Sequence, residues 1–162
     1  ASVANGFLAT GVQAVLGTYA PVNSPHTAIL VGRLLYRIAA FLPMITKHRP
    51  VSWREIVSMF FRMSYVTDVL RDLRGVRKAI NEVQYHKLHL DANMAINTGN
   101  QDWLEELQQG VMAATGMSEG DVRKIWLARY QFVETMLFGQ LGLPENIAIV
   151  SDEMYFETGG CG

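Results

Sequence analysis

The chain has 162 residues, 49% of them hydrophobic and only 18% charged. An average soluble domain carries about 25% charged residues, so polar material is scarce for a monomer's surface. This composition excludes intrinsic disorder, the length fits one helical domain spanning 1–162, and a net charge of −1 directs no partner.

Residues 1–32 contain no Asp, Glu, Lys or Arg and lack the basic stretch of a secretory signal peptide. Ala1–Tyr19 reads as a weakly amphipathic segment with Val3, Phe7, Leu8, Val12, Val15 and Leu16 on one side, an arm or interfacial piece over 1–20. Pro21, Asn23 and Pro25 break it. Ser24 with Pro25 then starts a helix that runs to about Lys47 and is apolar nearly all round. Such a helix is either central to a core or in contact with lipid. Arg33 and Arg37 argue against a spanning segment over Thr27–Ile45, because each costs about 2.5–3.5 kcal/mol at a bilayer centre.

Arg49-Pro50 ends that helix, and Ser52-Trp53-Arg54-Glu55 has the form of a capping box. From Ser52 to Thr98 only Gly75 opposes a helix, so the pattern predicts one rod of about 70 Å. Its apolar residues repeat with period 3.5. Met59, Val66, Leu73, Ile80 and Met94 take one seam position, and Val69, Val76, Val83 and Leu90 the other. Arg62, Lys87 and Asn97 interrupt it. A seam of that length needs a partner helix.

Thr98-Gly99-Asn100 stops the rod and a short helix follows over Gln101–Thr115. Ser118-Glu119-Gly120-Asp121 opens a last helix expected to reach Leu141. The segment 145–162 reads as an acidic tail containing a brief β-prone run, Ile147–Val150. The expected fold class is all-α: a helical bundle around one very long helix with a heptad-like seam, plus a short C-terminal strand.

Charge is divided along the chain. Residues 1–90 hold 11 basic against 4 acidic residues, and residues 91–162 hold 3 against 11. The halves therefore carry +7 and −8. The halves can pair within one chain, between neighbouring copies, or through the basic half with an anionic partner.

Chemistry-bearing patterns are few. Glu82, His86 and His89 share a helical face and are the metal-ligand candidates, but Glu-x-x-x-His is not the Glu-x-x-His of di-iron bundles, and no second copy occurs. Hydrolase, zincin and phosphate-loop signatures are missing. The one thiol, Cys161, sits among glycines beside an acidic stretch, where nothing predicts activation. Arg71, Arg74, Arg77 and Lys78 form a basic ridge suited to phosphates, although no aromatic residue interleaves it as single-strand binders require.

These features predict a non-enzymatic structural subunit that binds copies of itself, such as a virion coat, a membrane-apposed shell or an accessory subunit of a large complex. The expected assembly seam is Val66, Val69, Leu73, Val76, Ile80, Val83, Leu90 and Met94. A lipid membrane touching residues 1–45 is the second expected partner, and no cofactor is expected. A nucleic-acid-packaging role for the basic ridge and a helical metalloprotein are the alternatives. The corresponding location is the virion for a viral protein, and otherwise intracellular or membrane-peripheral.

Overall fold

The computed structural model describes residues 3–18, 24–47, 49–130 and 138–151. Cys161 and most of the expected acidic tail, including Asp152, Glu153 and Glu157, lie outside the described residues. In chain order the elements are α1 (Val3–Ala9), β1 (Ala14–Thr18), α2 (Ser24–Ile45), β2 (Val51–Ser52), α3 (Trp53–Arg71), a π-helical turn (Asp72–Val76), α4 (Glu82–Asn97), α5 (Trp103–Thr115), α6 (Glu119–Tyr130), β3 (Phe138–Gly142), a 3-10 turn (Pro144–Asn146) and β4 (Ala148–Ile149). The chain is mostly helical, with a few short strands. It divides into two compact units, 1–60 with 136–162, and 61–135, so that α3 contributes to both.

The expected single helix over 52–98 is not formed. The α-helical ladder ends at Arg71, widens into the π-helical turn, and stops where the Arg77 amide donates to the Asp72 carbonyl at 3.0 Å. Lys78 follows with φ +52°, a left-handed conformation that costs a non-glycine residue about 1–2 kcal/mol. Asn81 then caps a new helix. Its side chain accepts from the Gln84 amide, and the Gln84 side chain accepts from the Asn81 amide, both at 2.9 Å. This reciprocal box satisfies two otherwise orphaned donors, and it fixes the start of α4 at a place where an unbroken helix would leave both side chains unused. Gly75 lies inside the π-helical turn with open space around it.

Unit one is built from α1, β1, α2, β2, the start of α3, β3 and β4. Ser52 caps α3, its hydroxyl oxygen accepting from the Glu55 amide at 3.2 Å. The Glu55 carboxylate does not close the box; it pairs with the Arg49 guanidinium instead. That hydrogen-bonded ion pair pulls the Glu55 carboxyl below the usual range. β1 pairs antiparallel with β3, Ala14 opposite Gly142 and Thr18 opposite Phe138. β2 pairs antiparallel with β4, Val51 opposite Ile149. The residues Phe138–Leu141 were expected to end the last helix; they form β3 instead, because their partners are the β-prone residues of β1 rather than a helical neighbour. The N-terminal segment also departs from a single amphipathic element, since Gly11 with φ +94° turns the chain between α1 and β1.

Unit two packs the rest of α3 with α4, α5 and α6. Gln84 donates from Nε2 to the Ala114 carbonyl at 3.0 Å, and a Cβ placed on Gly110 would meet Leu88 at 2.7 Å. Rising numbers on α4 match falling numbers on α5, so these helices run antiparallel in close contact. Tyr85, Leu88, Ala92 and Ile96 on α4, Leu107 and Val111 on α5, and Val122 and Ile125 on α6 are buried. The spacing 85, 88, 92, 96 is one helical stripe. Gly116, with φ +70°, ends α5 by donating its amide to the Met112 carbonyl. Ser118 starts α6: its oxygen accepts from the Asp121 amide at 3.2 Å while its hydroxyl donates to the Asp121 carboxylate at 2.7 Å. That bond, with Lys124 nearby, holds the Asp121 carboxyl low.

Of the α3 residues, Ile56, Val57 and Phe60 in unit one and Val66, Val69 and Leu70 in unit two have no measurable exposure. The sequence offered α2 as the candidate central helix, yet only 11% of its Thr27–Ile45 stretch is buried.

Candidate functional site

The expected seam separates at the break between α3 and α4. Val66, Val69 and Leu73 are fully buried and Ile80 is 5% exposed. Val76, Val83, Leu90 and Met94 are 57–78% exposed. The reason is rotation. A heptad count continues evenly across residues 72–81, whereas the chain there leaves the α-helix and restarts, so α4 presents a different set of positions to the core. Tyr85, Leu88, Ala92 and Ile96 are that set. Val83, Leu90 and Met94 remain as an outward apolar stripe on the same helix.

The polar candidates cluster around this break. The Arg74 guanidinium donates to both Glu82 carboxylate oxygens at 2.7 and 2.8 Å and lies 4.2 Å over the Tyr85 ring. Two short links from the π-helical turn to the first turn of α4 therefore hold the corner: an ion pair and a cation–π contact. Arg77 closes the turn itself by donating to the Asp72 carboxylate at 2.9 Å. Arg71 and Lys78 are exposed. The basic ridge is thus half engaged locally, with Arg74 and Arg77 serving the corner.

The three metal-ligand candidates do not converge. His86 Nε2 lies 3.0 Å from the Glu82 carboxylate that already receives Arg74. His89 turns the other way. Its Nε2 is 3.0 Å from the Thr67 hydroxyl and its Nδ1 is 3.0 Å from the Asn93 amide nitrogen. The Thr67 hydroxyl hydrogen is given to the Met63 carbonyl at 2.9 Å, so the Thr67 oxygen accepts from Nε2–H and the Asn93 amide donates to Nδ1. Both ring nitrogens are occupied by the fold. Among the described residues no group of three or more His, Cys, Asp or Glu side chains is placed to hold a metal ion.

The sequence reasoning did not single out Thr67, Asn93 or Tyr85. Thr67 and Asn93 are small polar residues within helical stretches, and their role depends on a contact between helices. Asn81 and Gln84 carried a readable signal, the Asn-x-x-Gln form of a capping box. Comparison with protein-family models, with curated proteins and with solved structures gave no match to this chain.

Proposed function

We propose that this protein is a non-enzymatic structural subunit that assembles with copies of itself into a larger particle or shell. The observation that carries the reading is the double-sided α4. One stripe, Tyr85, Leu88, Ala92 and Ile96, is buried in unit two, while Val83, Leu90 and Met94 face outward with 57–78% of their surface exposed. Exposed apolar side chains aligned on one face of a packed helix, here interrupted by Lys87, mark a contact surface. Lys87 lies within the row, between Val83 and Leu90, and Asp91 beside it; both are exposed. In an antiparallel pair of α4 helices, Lys87 of one copy comes beside Asp91 of the other, which is the self-complementarity that a twofold contact demands.

The test is sedimentation of the intact protein and of Met94→Asp across a wide concentration range. The expected result is a large species for the parent chain and smaller, equally helical species for Met94→Asp. A parent chain that sediments as a monomer at every concentration overturns the proposal.

A further inference from the structure

We propose that the outward arc of α2 seats in the apolar layer of a lipid bilayer, with the helix lying in the membrane plane. Self-assembly through α4 is a separate matter, because α2 is in the other compact unit.

The evidence begins with where the two charges of α2 go. Leu30 and Leu34 are 5% and 4% exposed and define the inward side. At 100° per residue, Arg33 and Arg37 fall on that same half. Neither is fully exposed, each interacts within the chain, and one guanidinium nitrogen of Arg37 is shut off from solvent. What remains outside is free of charge. Ile29, Gly32, Leu35, Tyr36, Ala39 and Pro43 are all exposed and occupy an arc of about 120° along the helix; Phe41 and Met44, exposed near its C-terminal end, lie outside that arc. Ile29, Leu35 and Tyr36 expose 53, 60 and 74% of their surface. The stretch Thr27–Ile45 has a mean hydropathy of 1.7 and is long and apolar enough to cross a membrane by length and composition.

The helix does not cross, for a topological reason. β1 precedes α2 and β2 follows it, and both strands pair with one short segment, β3 at 138–142 and β4 at 148–149. A spanning α2 would draw the two-stranded β1–β3 sheet into hydrocarbon with its outer edges unpaired among the described residues. Open sheet edges are not tolerated there. An in-plane helix leaves the strands in water.

A second copy is a poorer occupant. A 22-residue helix is about 33 Å long and offers about 330 Å² on one face, well under the roughly 800 Å² per partner of a stable interface. Charge neither adds to this nor opposes it: unit one carries Arg33, Arg37, Lys47, Arg49 and Arg54 against Glu55, Glu145, Asp152, Glu153 and Glu157. Lys47 follows the end of α2 and is exposed, suiting it to a phosphate headgroup, while the exposed Arg49 and Arg54 pair with Glu55 and Glu145.

Flotation of the full chain with phosphatidylcholine vesicles, with and without added phosphatidylserine, tests this. Binding to both is expected, with at most a small gain from phosphatidylserine. Ile29→Glu with Leu35→Glu should weaken binding about tenfold or more and leave sedimentation unchanged, whereas Met94→Asp should do the reverse. Should the double variant lose helicity, Ala39→Glu replaces it. No flotation with either vesicle, or equal flotation of the variants, overturns the proposal. A change in particle size without a change in flotation overturns it in favour of a copy contact. Retention in vesicles after alkaline carbonate extraction overturns the in-plane placement.

Discussion

His89 on α4 and Thr67 on α3, 22 positions apart in sequence, meet at 3.0 Å, and the Thr67 hydroxyl is itself tied to the Met63 carbonyl. The imidazole is thus a strut between two helices. Tyr85 stacks on the same ring, with centroids 5.6 Å apart. His89→Ala should therefore cost about 1–3 kcal/mol of unfolding free energy, the usual effect of stranding a partly buried hydrogen-bonding group. His86 is 70% exposed, and His86→Ala should stay within about 0.5 kcal/mol. Urea unfolding of both variants checks the contrast. Equal effects would mean that His89 does not join the helices.

Leu73 and Leu90 both belong to the heptad seam, one at each of its two positions, and are opposite in the fold, fully buried and 60% exposed respectively. Leu73→Ala should lose about 2–5 kcal/mol through the cavity it leaves. Leu90→Ala should alter the unfolding midpoint little while weakening assembly. Chemical denaturation and sedimentation on the same samples separate the two outcomes.

Gly142 pairs with Ala14 and has φ +93°. A Cβ there would press into the Gln13 carbonyl oxygen and lie 2.8 Å from a Leu8 methyl group. Backbone strain and backbone crowding act together, so Gly142→Ala should destabilise unit one by about 1–3 kcal/mol. Thermal unfolding measures the loss. A neutral result would show that β1 and β3 are not held together at this register.

The Arg49–Glu55 pair sets a modest acid dependence. Arg49 holds the folded Glu55 carboxyl below the ordinary glutamate value. The stabilisation is therefore complete above about pH 4.3 and disappears as pH falls through the lower folded value. Both side chains are about half exposed, 57 and 47%, so screening by water limits the contribution to about 1 kcal/mol or less. Glu55→Gln should melt lower than the parent chain at neutral pH, with the gap closing below about pH 4 and shrinking in high salt. A gap that widens on acidification would contradict the sign.

Local signals in the sequence were read with success. Ser24-Pro25, the Ser52 cap, the Gly99 and Gly116 stops and the Ser118 start each mark an element end within a few residues of its place. The failures share a cause. Val66, Leu73 and Ile80 keep a 3.5-residue spacing that continues through Met94, and periodicity of this kind registers distance along the chain but not a widened turn within it. The Asn81 and Gln84 box was the contrary signal, and it outweighs the run of apolar spacing because it supplies hydrogen bonds that the helix start needs. β3 was hidden for another reason: Leu141 and Phe138 suit a helix as well as a strand, and the choice depends on Ala14–Thr18, far away in sequence. The same limit applied to the site. Arg74, Glu82 and His86 drew notice by residue type, but whether they face a ligand or one another is decided by the corner.

The pairing of β1 and β2 with residues near 140 has a consequence for the order of events during synthesis. Ala14 waits for Gly142 and Val51 for Ile149, so more than ninety residues must emerge before either strand finds its partner. At about 5–20 residues per second, that delay is about five to twenty-five seconds. Unit two, one continuous run from 61 to 135, has no such wait and can close while the ribosome is still working. Throughout that interval the apolar α2 has no strands fastened at its ends. A nascent chain in this state is the form most in need of a holding chaperone or a nearby lipid surface.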